Sequence, residues 1–457
     1  MALIGASLFP IAVKWVLIGR WKPRRIPLWS VAYVRFWCVR TLIVANPLAR
    51  LTVGTPMYTL YLRALGAKIG PRTLICTRWV PICTDLLTVG ADTVIRKETY
   101  LNGFRARDGA IETGPVAIGA GAFVGEHSTL DIGVRLGDTA QLGHASALHE
   151  GQSIPAGQRW HGSPARPAPA GCEYLTVPPT RCGRLRRVSY TLVMLLTLTA
   201  TVGVAEVAVA GLLEARPALV HTLTGAGGPG SWTYYADGLE IAAAMVFGLA
   251  LLGATLVPAL SRVLSRPVRA NTVYPLYGVR FTLQRAVARL ASTRFTIALF
   301  GDSSAIVHYL KALGYRLAPI EQTGSNFGTM LKHEVPALSR VGTGTMVSDG
   351  LSMANAEYSS TSFRTALAAI GNHNYLGNNI LYPAGGRTGD NCLLATKAMI
   401  PVSGPVRENT GLLGSPPSKS RGRSSATTAS TTSPPGPGSG AASRPRTATT
   451  PGPWPCS

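Results

Sequence analysis

The sequence predicts a mainly β protein in which two parallel β-helix domains are separated by a transmembrane α-helical hairpin, with an N-terminal membrane helix ahead of the first. Three observations predict it: aliphatic residues recur every six positions, a later block repeats an earlier one at constant distance, and apolar runs approach the length of a bilayer crossing.

Ile118, Val124, Leu130, Leu136, Leu142, Leu148 and Ile154 stand six apart. That period is neither the 2 of a strand nor the 3.6 of a helix. One inward aliphatic residue, followed by Gly at 119, 125, 137 and 143 and then by a small residue at Ser128, Ala140 or Ser146, marks a triangular coil with three hexads per turn. Ile69, Ile75, Ile82, Val89, Ile95 and Leu101 continue the pattern upstream, and residues 102–115 read as a loop insertion. Residues 84–164 then align without a gap on residues 336–416 at an offset of 252. Val89-Gly90 falls on Val341-Gly342, Ala117-Ile118-Gly119 on Ala369-Ile370-Gly371, and Gly162-Ser163-Pro164 on Gly414-Ser415-Pro416. The chain therefore holds two copies of one domain.

Lys and Arg outnumber Asp and Glu by 44 to 21, a formal charge of +23 in a chain that is 46% hydrophobic and 14% charged. Basic clusters at 20–25, 181–187 and 262–269 each abut an apolar run, so the charge is assigned to a membrane partner and not to nucleic acid. The runs are residues 2–18, 188–213 and 239–260, against the roughly 20 residues that cross a hydrocarbon core. Residues 50–187 and 262–416 are then expected on the cytoplasmic side of an inner or plasma membrane, with 214–237 as a short external loop. Residues 29–45, aromatic and carrying Arg35 and Arg40, are expected along the interface, and Glu206 is an intramembrane carboxylate. Seven scattered cysteines without a CxxC pair read as reduced thiols. The expected division is membrane and interfacial helices over 1–49, a first β-helix over 50–170, a basic linker over 171–187 and the hairpin over 188–261. A linker with an amphipathic helix follows over 262–300, then a second β-helix over 301–416 and a disordered Pro/Ser/Thr-rich tail over 417–457.

The hexads, together with Trp160-His-Gly-Ser-Pro-Ala-Arg166, resemble the hexapeptide-repeat acyltransferases, which implies left-handed coils and an oligomeric habit. The whole arrangement is similar to a more specific group. Two hexapeptide domains around membrane helices, with NAEYSSTSFR at 355–364, LGNN at 376–379 and GRTGDNCLLATK at 386–397, look like the C-terminal membrane region of poly-lysine-synthetase-type nonribosomal peptide synthetases. The resemblance covers most of residues 1–416. It implies that the tandem domains join aminoacyl units, that the donor is a phosphopantetheine thioester or aminoacyl adenylate supplied by another domain, and that the partners are adenylation and carrier domains. No resident cofactor is implied for this chain. It is expected to be a detached or truncated terminal part, since neither partner domain is recognisable in it, and residues after 416 depart from the family.

Residues 18 apart stack on adjacent turns at the inter-strand distance of about 4.8 Å. Glu126 and His144 are so spaced, which sets a carboxylate beneath an imidazole, the arrangement of a general base. His144 with Glu126 is the leading catalytic candidate, His149 and His161 follow, His127 ranks behind them, and the Gly143 N–H is a candidate oxyanion donor. Both copies carry R-x-G-D, as Arg135 with Asp138 and Arg387 with Asp390, to hold a corner or to bind an anionic pantetheine arm. The second copy replaces Glu126 by Asn378, His144 by Thr396 and His149 by Pro401. Its polar groups are His333, Glu334, Asn355, Tyr358, Ser359, Ser360, Arg364, Asn378 and Asn379, mostly in a loop suited to wall a substrate groove. Residues 142–149 are also similar to the paired-histidine segment of gamma-class carbonic anhydrases. That resemblance implies zinc, whose third ligand another chain or a carboxylate would have to provide; no metal ligand is assigned. The sequence thus points to a membrane-bound acyltransferase-like terminal unit of a nonribosomal peptide synthetase, forming amide bonds between activated aminoacyl donors and an acceptor amine. A non-catalytic membrane scaffold for a synthetase and a gamma-carbonic-anhydrase-like metal enzyme are the competing readings.

Overall fold

The hexads of the first copy wind into a three-faced coil of short parallel strands in the computed structural model, which describes residues 2–169, 171–215, 232–300, 303–401, 404–415 and 417–420. Phe123 lies beside Gln141, Thr129 beside Ala147 and Arg135 beside Ser153, so a turn takes 18 residues, or three hexads. Val124, Leu130 and Leu142 point inward and are fully buried, as are the small Ser128 and Ala140. Between strands the backbone turns through the left-handed region every six residues, at Gly121, His127, Gly133, Thr139, Ala145, Gly151 and Gly157. The glycine directly after an inward aliphatic serves a different need. A Cβ on Gly125 would lie 2.6 Å from the His144 nitrogen, because the next turn's backbone closes over it.

The insertion at residues 102–115 is a hairpin, Phe104–Arg107 against Ala110–Thr113, extended by the strand Arg24–Pro27. The second coil repeats this plan. Its strands run from Arg316–Leu317 to Gly411–Leu413, its hairpin is Ala356–Tyr358 against Ser362–Thr365, and the added strand is Val273–Pro275. The last strand, Ser418–Ser420, folds back on Gly411–Leu413, so ordered structure passes the expected boundary at 416; the rest of the expected tail, 421–457, lies outside the described residues.

Among the described residues the helices are α1 (Ala2–Leu17), α2 (Val31–Ala45), α3 (Pro47–Thr52), α4 (Pro56–Ala64), α5 (Arg184–Ala215), α6 (Trp232–Ser265), α7 (Val279–Ala291), α8 (Arg294–Phe300), α9 (Ala305–Leu313) and the single turn α10 (Phe327–Met330). Three corrections follow. The repeat begins earlier than residue 50, for strand Arg24–Pro27, α2, α3 and α4 recur as strand Val273–Pro275, α7, α8 and α9. Residues 262–300 are accordingly part of the second module and not a linker. Trp29 and Tyr277, each one residue before the helix N-cap, both adopt positive φ, at 64° and 60°. Residues 29–45 are also more than an interfacial segment, because Phe36, Val39 and Ile43 pack with Trp21 and Ile26. Finally, α1 has 16 residues, about 24 Å of helix, which is short of a hydrocarbon core of about 30 Å. Its Lys14 is fully buried, paired with Asp85 at 2.7 Å.

The other two apolar runs lie in α5 and α6. Among the described residues, the stretch Gly238–Ser265 of α6 is the one long and apolar enough to cross a membrane. Leu192, Leu196, Val204 and Val207 on α5, like Phe247 and Leu251 on α6, are exposed, and so is Glu206. Of the expected external loop, 216–231 lies outside the described residues.

The two coils pack side by side in one unit. Leu74, Val94 and Phe123 on one outer face of the first coil are buried against Tyr274, Leu276 and Phe281 of the second module and against its hairpin residues Tyr358 and Phe363. A column of outward apolar residues on a β-helix face is an exposed patch unless something covers it. Here the second copy's hairpin covers it.

Candidate functional site

A cleft opens at the edge of that contact. Arg96, Phe123, Glu126 and His144 of the first coil form one wall, Glu357 and Tyr358 of the second coil's hairpin form the other, and Tyr174, Thr176 and Val177 of the connecting segment close it. Its open volume is about 10 Å³, room for one water molecule.

Arg96 organises the cleft. It follows the inward Ile95, the place that glycine takes after Val89, Ile118, Val124, Leu136 and Leu142. The guanidinium is 2% exposed, lies 4.6 Å from the centre of the Tyr358 ring, pairs with the Glu126 carboxylate and donates to the Ala356 carbonyl. Its Nη1 is buried and makes no hydrogen bond. The Tyr358 hydroxyl donates to Gln284 Oε1 at 3.1 Å, and Glu357 accepts from Arg364 at 2.6 Å.

The stacking of Glu126 and His144 differs from the expected one. Adjacent turns do bring them together, but the Glu126 backbone N–H, and not the carboxylate, meets the imidazole, donating to His144 Nδ1 at 3.0 Å. A ring nitrogen that accepts carries no proton, so the neutral ring holds its proton on Nε2. Burial, with Arg96 and His127 adding to it, lowers the His144 pKa to about 3. His144 is a neutral donor and is poorly suited to be a base. Glu126 moves the other way, as burial pushes its carboxyl up to about 7 against the pull of Arg96, with Glu334 adding to the rise. A carboxylate titrating near neutrality suits proton transfer from an amine.

The remaining candidates divide. His161 Nδ1 lies 2.8 Å from the Tyr174 hydroxyl, at the cleft's covering segment. His149 is exposed on a corner outside the cleft. His127 reaches across the coil contact toward Ser352 Oγ at 3.4 Å, and burial lowers its pKa to about 4. Tyr358 and Arg364 come to the site, Arg364 through Glu357. Asn355 does not, because its amide is consumed inside the second coil by the Leu338 carbonyl and by Ser339. Asn378 accepts from the Asp349 N–H, and Asn379 forms a left-handed corner. Asp138 and Asp390 accept from the N–H groups of Ala120 and Asn372, both at 2.7 Å, so each R-x-G-D aspartate ties one corner to the turn before it. Arg135 and Arg387 are exposed strand residues away from the cleft. His333 donates to or accepts nothing from the cleft, its Nε2 lying 2.8 Å from the Ala291 carbonyl, while Glu334 pairs with Lys97. Among the described residues no three metal-ligating side chains converge, and His144 and His149 share no ligand set.

Arg96, Glu357 and Tyr174 were not singled out from the sequence. For Arg96 a signal existed, the charged residue standing where the hexad asks for glycine. Glu357 and Tyr174 lie in segments without a period, where spacing carries no information.

No family model matches the chain. Among curated proteins it is 29% identical over 167 residues to a Delta-poly-L-ornithine synthetase of Acinetobacter baumannii (strain AB307-0294), a match covering 36% of this chain and 12% of that protein. The chain thus spans about an eighth of the length of that relative. Solved structures similar to it include a hexapeptide transferase family protein from Anaplasma phagocytophilum, 23% identical, with a TM-score of 0.15 over 23% of this chain and 57% of that one. A galactoside acetyltransferase in complex with coenzyme A is 16% identical, with a TM-score of 0.22 over 28% and 78% of the two chains.

Proposed function

We propose that the chain is the acyl-transferring part of a membrane-associated synthetase, forming amide bonds between activated aminoacyl donors and an acceptor amine. The observation that carries this reading is the cleft between the coils, where the buried Glu126 carboxylate lies beside the His144 imidazole, whose Nδ1 accepts a backbone N–H, and beside the Arg96 guanidinium, whose buried Nη1 makes no hydrogen bond. Amide formation from a thioester or adenylate asks for two things: removal of a proton from the attacking amine and stabilisation of the oxyanion of the tetrahedral intermediate. Glu126 takes the proton. His144 Nε2–H and Arg96 Nη1 are the donors for the oxyanion, and the leaving thiol or adenylate departs as the carbonyl re-forms. The relative's name, a poly-ornithine synthetase, supports a chemistry of this class. On this reading the coils are left-handed, the donor is a phosphopantetheine thioester or adenylate delivered by adenylation and carrier domains, and α5 with α6 carries the chain into the membrane and back, both coils on one side.

The test is turnover of the full chain in detergent or nanodiscs with aminoacyl-pantetheine and a free amine, read as amide product by mass spectrometry. Product that depends on Glu126, lost in Glu126→Gln, supports the reading. Equal product from the variant defeats it. The scaffold reading keeps one observation in its favour, the closure of the cleft to a single water, and the same assay decides between them.

A further inference from the structure

The segment between the first coil and α5, expected to be a basic linker, runs along the contact of the two coils without helix or strand. Its bonds are unusual for a linker. The backbone N–H groups of Tyr174 and Leu175 both donate to Gln141 Oε1, at 2.9 and 3.2 Å, which ties one end to the first coil. Thr176 Oγ1 donates to Glu357 at 2.8 Å, the Pro178 carbonyl accepts from Ser362 Oγ, and the Thr180 N–H donates to Thr361 Oγ1 at 3.0 Å, which ties the other end to the second coil's hairpin. Between the ties, Val177 is 3% exposed and sits over the cleft. A space for one water admits neither an amine nor an acyl chain. Whatever the cleft acts on, something must move first.

We propose that residues 172–182 are a gate over the cleft, closed here and opened by release from Gln141 and from the 359–362 turn. The strap is the part that moves because of how each wall is held. The first wall belongs to a coil whose strands are laddered on both sides and whose inward residues are fully buried, and the second wall's strand Ala356–Tyr358 is laddered to Ser362–Thr365, whereas the strap has no ladder and is held by side-chain hydrogen bonds and by Tyr174, Leu175 and Cys182 packed against the coil contact. Segments without a backbone ladder open at the low end of the local stability range. The strap also runs directly into α5 at Arg184, and Tyr190 of α5 packs on Tyr277 and Phe281 with ring centres 5.2 and 5.8 Å apart. A shift of the apolar helix therefore pulls on the gate. The consequence for turnover rests on the proposed acyl-transfer reading; the opening does not.

The test places a cysteine on the cleft wall, Ala384→Cys, a position 4% exposed, in the full-length protein and follows its alkylation by iodoacetamide with peptide mass spectrometry. Adding Gln141→Ala and Ser362→Ala is expected to speed alkylation at 384 at least tenfold, with Cys392, buried in the second coil, unchanged as the internal control. No acceleration overturns the gate. An equal rise at Cys392 overturns it too, since the coil and not the strap has then opened. Hydrogen exchange of the unsubstituted protein supplies a second reading. The amides of Tyr174 and Leu175 are expected to exchange at least 100-fold faster than those of Leu142 and Leu148, and equal protection would count against the gate. If the released variant is accessible yet neither it nor the unsubstituted protein makes amide, the gate stands and the acyl-transfer reading fails.

Discussion

Glu126 and His144 show how a correct spacing can bring two residues together without saying which of their atoms meet. The period of 18 was enough to stack them, but which atoms meet is set by the corner geometry, where the lower residue offers its N–H upward and its side chain turns away to Arg96. Activity is then expected to rise with pH through about 7 as Glu126 loses its proton, and Glu126→Gln is expected to cost at least about 100-fold and to flatten that limb. His144→Ala should cost about 100-fold in kcat, the scale of a lost oxyanion donor, while leaving the apparent pKa of the profile where it was. A profile whose limb vanishes in His144→Ala would return the base to the histidine. Stability has its own pH dependence. The folded pKa values of His127, His144 and His333 are lowered from 6.5 to about 4, 3 and 4, chiefly by burial, so their contribution is complete above 6.5 and is lost as pH falls through 4 toward 3. Each adds a slope of up to about 1.4 kcal/mol per pH unit below 6.5. Denaturant midpoints measured from pH 7 to 4 are expected to fall steeply, and less steeply in His144→Gln.

At the scale of elements, the coils were legible because a period of six is imposed twice over. Each inward position must be aliphatic to fill the prism, and where the next turn's backbone closes over the following position, as at Gly119, Gly125 and Gly137, that position must be glycine. Leu142→Ala, in the fully buried column, is expected to cost about 2–5 kcal/mol in a denaturation series. Arg135→Ala, on an exposed strand, is expected to stay within about 0.5 kcal/mol. The hairpins, the early start of each module and the strap were not legible. Nothing in residues 102–115 or 355–366 repeats at six, so the sequence marks them only as interruptions, and their antiparallel pairing with Arg24–Pro27 and Val273–Pro275 depends on contacts made far along the chain. Apolar length alone overstated α1. Counting residues does not reveal that the buried Lys14 pairs with Asp85, and that partner makes the helix part of the first module.

Across the whole molecule, the site exists because the second copy lends its hairpin to the first, not because either coil is complete. This explains why the two copies share the scaffold but not the residues that line the cleft. The second coil keeps Arg387 and Asp390 at its corners, carries Asn378 and Thr396 where the first has Glu126 and His144, and supplies Glu357 and Tyr358 to the cleft. The union is strengthened by ion pairs across the contact, Lys97 with Glu334 and Lys332 with Glu98 at 3.3 Å. Glu334 is 3% exposed and neither carboxylate oxygen makes a hydrogen bond, so Lys97 is what compensates it. Removing one partner of a buried pair leaves an unsolvated charge, whereas replacing both with neutral groups does not. Lys97→Met is therefore expected to lower stability by about 3 kcal/mol and to loosen the coil contact. Lys97→Met with Glu334→Gln is expected to recover most of that loss. Urea denaturation of the two variants, with limited proteolysis of the 262–272 segment as a probe of coil separation, measures both effects. If the single and double variants are equally destabilised, the pair is not what compensates Glu334.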